Sequence, residues 1–250
     1  MSRNFELLHE AGKVQEMLRQ RVEQAPPEPT EFVPGTPALA IDGATGDEVG
    51  KLVQRLFLMP GGLAAHQVVF TGTEQGNGCS WICARVADVL ASQVAASVCI
   101  VDCNLRFPTL HEEFSVSNQS GLSEALLQAE PVRQFAQQLS RNNLWLLSSG
   151  SASEQAEQLL TMDRMRRRLS ELRTEFDYVL LDAAPLNVCN QAIMLGSWCD
   201  GVALVLKANS SSRKTARKVL EDLQTAKVPV LGAVLNQRTF PIPPAIYNRL

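Results

Sequence analysis

Seven residues have a type and spacing that point to phosphate chemistry. Gly76-Asn77-Gly78-Cys79-Ser80 follows the apolar run Val68 to Thr71 and opens a helix near Cys79. Two glycines let backbone approach an anion, and a helix N-terminus aims free N–H groups and a positive dipole end at it. The stretches SVCIVD and DYVLLD each end in an aspartate, Asp102 and Asp182. A hydroxyl at Ser80 and two strand-end carboxylates are what a magnesium–nucleotide site needs for its metal and for orienting an attacking oxygen. The expected loop ending is G-K-[ST], with lysine on the β/γ-phosphates. Here that position is Cys79. A cysteine at a helix start can be a reactive thiolate; the simpler reading is a passive thiol standing where a cation is missing.

These groups must be positioned by alternating elements. Apolar runs at Val68 to Thr71, Ser97 to Asp102, Leu144 to Leu147, Asp177 to Asp182, Gly201 to Lys207 and Val228 to Asn236 read as strands. Helical patterns lie between them, at Gly121 to Gln128, Glu154 to Thr174 and Ser212 to Ala226. Uninterrupted apolar strands separated by helices predict an α/β fold, a mostly parallel sheet with helices on both faces. Right-handed crossovers gather Gly72, Asp102, Asp182 and Asn236 at one sheet edge. Asp47 to Met59 reads as an amphipathic helix leading into this core. A basic cluster at Arg164, Arg166, Arg167 and Arg168 reads as a solvated helix face, with a polyphosphate or partner patch as the sharper alternative.

The organisation expected is an amphipathic helix over 1–24, a Pro-rich linker over 25–42, a nucleotide-binding domain over 43–240 and a short tail over 241–250. The linker reading rests on five prolines in APPEPTEFVPGTPA. The 250 residues suffice for one sizeable domain, and a net charge of −3 argues against nucleic-acid binding. No stretch has the length and apolarity of a signal peptide or a membrane span, so a cytoplasmic chain is expected, with any membrane link made through a partner. Six cysteines without a C-x-x-C pair read as small apolar fillers.

With these motifs the chain resembles a known family. Over about residues 45–238 it is similar to the cytoplasmic tyrosine-kinase domain of bacterial exopolysaccharide and capsule synthesis. That domain is a branch of the P-loop NTPase superfamily of partitioning and cell-division-site ATPases. The carrying motifs are the glycine loop, Asp102-Cys103-Asn104-Leu105-Arg106 with Phe107-Pro108-Thr109-Leu110-His111 after it, and Asp182-Ala183-Ala184-Pro185. The turn Gly121-Leu122-Ser123, Phe176-Asp177-Tyr178, Asp200-Gly201 and Val234-Leu235-Asn236 match as well. Glu74 stands where the partitioning ATPases carry an extra lysine, which favours the kinase branch. The resemblance implies ATP and Mg²⁺ as ligands. It implies nucleotide contacts from Gly76, Asn77, Gly78, Cys79, Ser80, Trp81, Asn236 and Arg238, metal contacts from Ser80, Asp102 and Asp182, and catalytic roles for Asp102 and Asp182. It further implies a membrane-bound polysaccharide chain-length or export partner and homo-oligomers.

The departures from the family pattern are Cys79 for lysine, Asn104 for the second aspartate of D-x-D, and Asn190 for a later aspartate. The ring-forming E-x-x-R-x-x-R helix becomes Glu48-Val49-Gly50-Lys51-Leu52-Val53-Gln54, and the tail offers only Tyr247 as a phosphate acceptor. Three losses at one site imply weak or absent turnover and a regulatory role. Two alternatives stay open: an active kinase or ATPase that draws a cation from elsewhere, and a scaffold that binds no nucleotide.

Overall fold

The structure, a computed structural model, describes residues 43–60, 64–151, 158 and 163–237. The N-terminal helix and linker expected over 1–42, the tail and Arg238 lie outside these residues, as does most of the segment between 152 and 162.

Helix α1 (Gly43–Phe57) leads into strand β1 (Gln67–Gly72), and the glycine loop then joins β1 to helix α2 (Cys79–Gln93). Next come β2 (Val98–Asp102), α3 (Leu110–Glu113), α4 (Leu122–Leu127), a 3₁₀ turn (Val132–Phe135), β3 (Gln137–Gln138) and β4 (Leu144–Leu147). The second half runs α5 (Asp163–Glu175), β5 (Tyr178–Asp182), α6 (Gln191–Trp198), β6 (Gly201–Lys207), α7 (Arg213–Thr225) and β7 (Val230–Asn236).

The strands form one seven-stranded sheet in the order β3-β4-β2-β5-β1-β6-β7. All pairings are parallel except that of β3 with β4. Strand β1 sits between β5 and β6, and every one of its residues is buried. Its period-2 alternation sends Val68 and Phe70 to one face and Val69 to the other. The Val68 face packs under α1, α2 and α3 through Val53, Leu56, Leu90 and Leu110. The Val69 face packs under α4, α5, α6 and α7 through Leu126, Leu169, Leu195 and Leu223. Continuous apolar strands are what a sheet covered on both faces requires.

The basic cluster on α5 is divided between two uses. Arg164 donates to the carbonyls of Leu126 and Leu127, and Arg168 to those of Ala125 and Gln128. These are the last carbonyls of α4 and that of its C-cap residue Gln128, which a helix of six residues leaves without intrahelical partners. Arg166 and Arg167 face solvent. All six cysteines are free thiols, and Cys83, Cys99 and Cys103 are buried, as small fillers would be.

Candidate functional site

The loop between β1 and α2 is held open from behind. Asn77 is buried, and its side-chain amide donates to Thr73 Oγ1 at 2.9 Å and to the Val205 carbonyl at 3.1 Å. Asn236, at the end of β7, donates its amide to the Asn77 carbonyl at 2.9 Å. Gly76 and Gly78 take φ values of 81° and 75°, the left-handed region where a Cβ is costly. A Cβ on Gly78 would also lie 2.3 Å from Asn236 Nδ2. The loop is therefore a pre-formed backbone cradle that opens the 15-residue helix α2. The side chains of Asn77 and Asn236 both hold the loop's shape. Trp81 lies in the first turn of α2 with the Arg85 guanidinium 4.6 Å over its ring.

The two strand-end carboxylates are neighbours across β2 and β5, in register with each other. Asp102 accepts N–H groups from Asn104 at 3.1 Å and from Thr109 and Leu110 at 3.2 Å each. It thereby ties down the loop after β2 and the start of α3. Asp182 is as buried, yet neither of its oxygens has a hydrogen-bond partner. Ser80 and Cys79 face it and pull its pKa down, but without closing a hydrogen bond of ordinary geometry. Desolvation outweighs them, and the Asp182 carboxyl is held above the usual range. Asp102 is raised as well, first by desolvation and then by the charge of Asp182.

Stability should therefore depend on pH. A carboxyl whose pKa is higher folded than unfolded binds more protons in the native state across that interval. Stability is then present below the interval and lost as pH rises through it. Asp177 and Asp200 are shifted down and act the other way, losing stability only as pH falls below the ordinary carboxylate range near 4. The expected result for the nucleotide-free protein in chelator is greatest stability at mildly acid pH and a decline through neutrality. The decline should be about 1.4 kcal/mol for every tenfold difference in proton affinity between the two states. Urea unfolding along a pH series measures it, and Asp182→Asn should flatten the slope.

Cys79 is half-buried beside Asp182. Burial, then the nearby carboxylate, push its thiol well above the ordinary range. That direction agrees with the passive-thiol reading and disfavours the reactive thiolate. Asn104 is occupied within its own loop, its side chain donating to the Phe107 carbonyl at 3.1 Å and accepting from the Phe107 N–H at 3.4 Å. A cavity of about 230 Å³ opens beside this loop, lined among others by Asn104, Leu105, Asn190 and Met194. Ser80 and Glu74 are both half-buried. On α1, Lys51 pairs with Glu48 of its own helix at 2.6 Å. Sequence reading missed the clamp that Thr109 and Leu110 N–H groups place on Asp102, which no side-chain pattern signals. It could have found the Asn77 lock, since an asparagine between two glycines in a tight loop commonly hydrogen-bonds nearby backbone.

The arrangement has a cradle of backbone donors, a hydroxyl at the helix start, and two buried carboxylates, one with free acceptors. The family described as "Cellulose biosynthesis protein BcsQ" matches residues 65–226. Tyrosine-protein kinase YwqD of Bacillus subtilis (strain 168) is 32% identical over 169 residues, covering 68% of this chain and 71% of that protein. Tyrosine-protein kinase etk of Escherichia coli (strain K12) is 27% identical over 169 residues, and the match covers only 23% of that longer protein. The solved kinase domain of the Escherichia coli tyrosine kinase ETK superposes with a TM-score of 0.73 at 22% identity, over 87% of this chain and 88% of that one. The cell-division ATPase MinD of Pyrococcus furiosus shares the fold at a TM-score of 0.59 and 20% identity, over 74% and 78% of the two chains. The chain belongs to the bacterial tyrosine-kinase family of exopolysaccharide and capsule synthesis, and it shares its fold with the partitioning-type ATPases.

Proposed function

We propose that this chain is a catalytically weak, nucleotide-responsive member of its family that regulates exopolysaccharide or capsule assembly. Gly76, Asn77, Gly78, Cys79 and Ser80 hold the phosphates through the loop backbone, with Trp81, Asn236 and Arg238 toward the rest of the nucleotide. Ser80, Asp102 and Asp182 hold the metal, and Asp102 and Asp182 are the carboxylates through which any residual turnover runs. The left-handed glycines Gly76 and Gly78 of the loop and the unpartnered oxygens of Asp182 fit ATP and Mg²⁺. Bound, that pair supplies the phosphoryl donor and neutralises its charge.

The observation that carries the reading is Cys79, half-buried beside Asp182 where the family's cation stands. Backbone donors bind ground-state phosphate, so affinity survives in part. Transition-state charge has lost the side chain that would follow it. Asn104, tied to Phe107, supplies no second carboxylate. The partner is a membrane-bound chain-length or export protein, reached from the cytoplasm at the inner face of the membrane. No described helix is long and apolar enough to cross a membrane. Homo-oligomers of this chain are weak, since Lys51 is paired within its own helix and Gln54 carries no charge.

Incubation with Mg-ATP followed by mass spectrometry tests the reading. The sequence holds two tyrosines, and little or no phosphate is expected on Tyr178 or Tyr247. Abundant phosphotyrosine that disappears in Asp182→Ala would establish the active-kinase reading instead. Absence of any calorimetric signal with Mg-ATP would leave the scaffold.

A further inference from the structure

The carboxylates of the site lie on one side of β1 only. Asp182 ends β5, which pairs with β1, and Asp102 ends β2 beyond it. On the other side β1 pairs with β6, where Gly72 is opposite Val205. Two residues past Val205, at the last position of β6, stands Lys207. Ala203 and Val205 pack into the cluster under α1 and α2, whereas Leu206 packs against the opposite cluster. Alternation therefore places Lys207 on the α2 face of the sheet, the face of the helix that the glycine loop opens.

The end of β6 is tied directly to the loop. Lys207 is opposite Asn236 in register, about 4.8 Å away across neighbouring strands, and Asn236 donates to the Asn77 carbonyl at 2.9 Å. Asn77 in turn donates to the Val205 carbonyl at 3.1 Å. Ser211 Oγ accepts the Lys207 N–H at 3.0 Å and lies 3.4 Å from Thr73 Oγ1. Lys207 is half-buried, yet no carboxylate among the described residues forms an ion pair with it. An ammonium drawn partly out of water favours a counter-charge. We propose that Lys207 supplies, from the β6 side, a cation that Cys79 does not, and that it acts on the phosphate nearest the nucleoside.

This role for Lys207 rests on the proposed function, because it requires nucleotide in the cradle. Its side of the loop decides what it does. The metal and the reacting phosphate are drawn to the carboxylates at the ends of β2 and β5. A cation across β1 from them meets the end of the phosphate chain that does not react. It holds charge present in the ground state and does not follow charge that develops in transfer. Nucleotide affinity thereby persists in a chain whose turnover is weak. Lysine suits the task, since its four-carbon stem carries three donors as a point charge that demands no fixed planar geometry.

Calorimetry of the full chain with Mg-ATP and with Mg-ADP tests this in Lys207→Met. Both nucleotides should bind about tenfold more weakly, and by the same factor, the worth of one charge-assisted hydrogen bond. Lys207→Arg should keep most of the parent's affinity. Added salt should weaken binding more in the parent than in Lys207→Met, because only the parent binds with that charge. Should Lys207→Met fail to fold, Lys207→Gln carries the same comparison. A loss confined to Mg-ATP would put the ammonium on the terminal phosphate and overturns the proposal. Equal affinity of parent and Lys207→Met overturns it as well, while leaving the proposed function standing. A parent that gives no signal with either nucleotide overturns the proposed function and this role of Lys207 together.

Discussion

Replacing Cys79 by lysine should raise affinity for Mg-ATP by roughly one to two decades, the worth of one charge-assisted hydrogen bond of about 1.5–3 kcal/mol. The gain should require Mg²⁺, because Ser80, Asp102 and Asp182 act on phosphate through the metal in the proposed site. Calorimetry with and without Mg²⁺ measures both terms. The nucleotide should also raise the melting temperature more in the variant than in the parent, as a ligand that binds only the folded state must. A second consequence precedes any ligand. The new ammonium would stand beside Asp182, whose oxygens have no other partner, and would bring its pKa down. The decline of stability through neutral pH should then shrink in Cys79→Lys as it does in Asp182→Asn. Catalysis need not return, since Asn104 still lacks a charge; Cys79→Lys with Asn104→Asp is the better candidate for turnover. A folded Cys79→Lys protein with no Mg-dependent gain would mean that the loop has ceased to hold phosphate.

Gly121→Ala should destabilise the fold by about 3 kcal/mol, the upper range for forcing an atom into a packed site. Its Cβ would lie 2.1 Å from the Ser148 carbonyl oxygen and 2.7 Å from the Gly150 nitrogen. Both are backbone atoms. Ser148 O is further fixed by the Leu122 N–H at 2.7 Å, and Gly150 N by Asn118 Oδ1 at 2.9 Å. Nothing flexible can yield, so the joint between the end of β4 and the start of α4 must open. Gly76→Ala is the comparison: its φ of 81° is strained for alanine, yet its Cβ would meet nothing within 4 Å. It should cost about 1–2 kcal/mol. Urea midpoints at unchanged m-value read both. A Gly121→Ala cost no larger than that of Gly76→Ala would show that the β4–α4 joint is soft.

The sheet was legible because its strands are buried on both faces. A strand such as GVALVLK has an apolar residue at nearly every position, and β6 begins and ends where that run does. The start of α2 was legible from the glycine loop, and Asp102 and Asp182 from their places at strand ends. Strand β3, two glutamines at an edge, carries no periodic signal; it exists because β4 offers it a free edge. The division of the α5 arginines was hidden for a related reason. Arg164 and Arg168 serve carbonyls about 40 residues away, and only the packed fold shows which charges find such partners. Within the site, the sequence could name Cys79 and Asp182 but not their adjacency. It could not show that Asp102 is saturated with backbone donors while Asp182 is not, because both aspartates end an apolar strand in the same way.

The central position of β1 fixes an order of events during synthesis. Val68 pairs with Leu180 on one side and with Gly201 on the other. Both neighbours are translated long after β1 has left the ribosome. At typical elongation rates of about 5–20 residues per second, β1 waits roughly ten seconds before either can reach it. Through that interval QVVFTG, buried at every position in the finished sheet, has no strand to pair with. The phosphate loop hangs from its end and cannot be locked until β7 delivers Asn236. A nascent chain of this topology therefore exposes an apolar, unpaired central strand through the stage when its glycine loop is not yet locked.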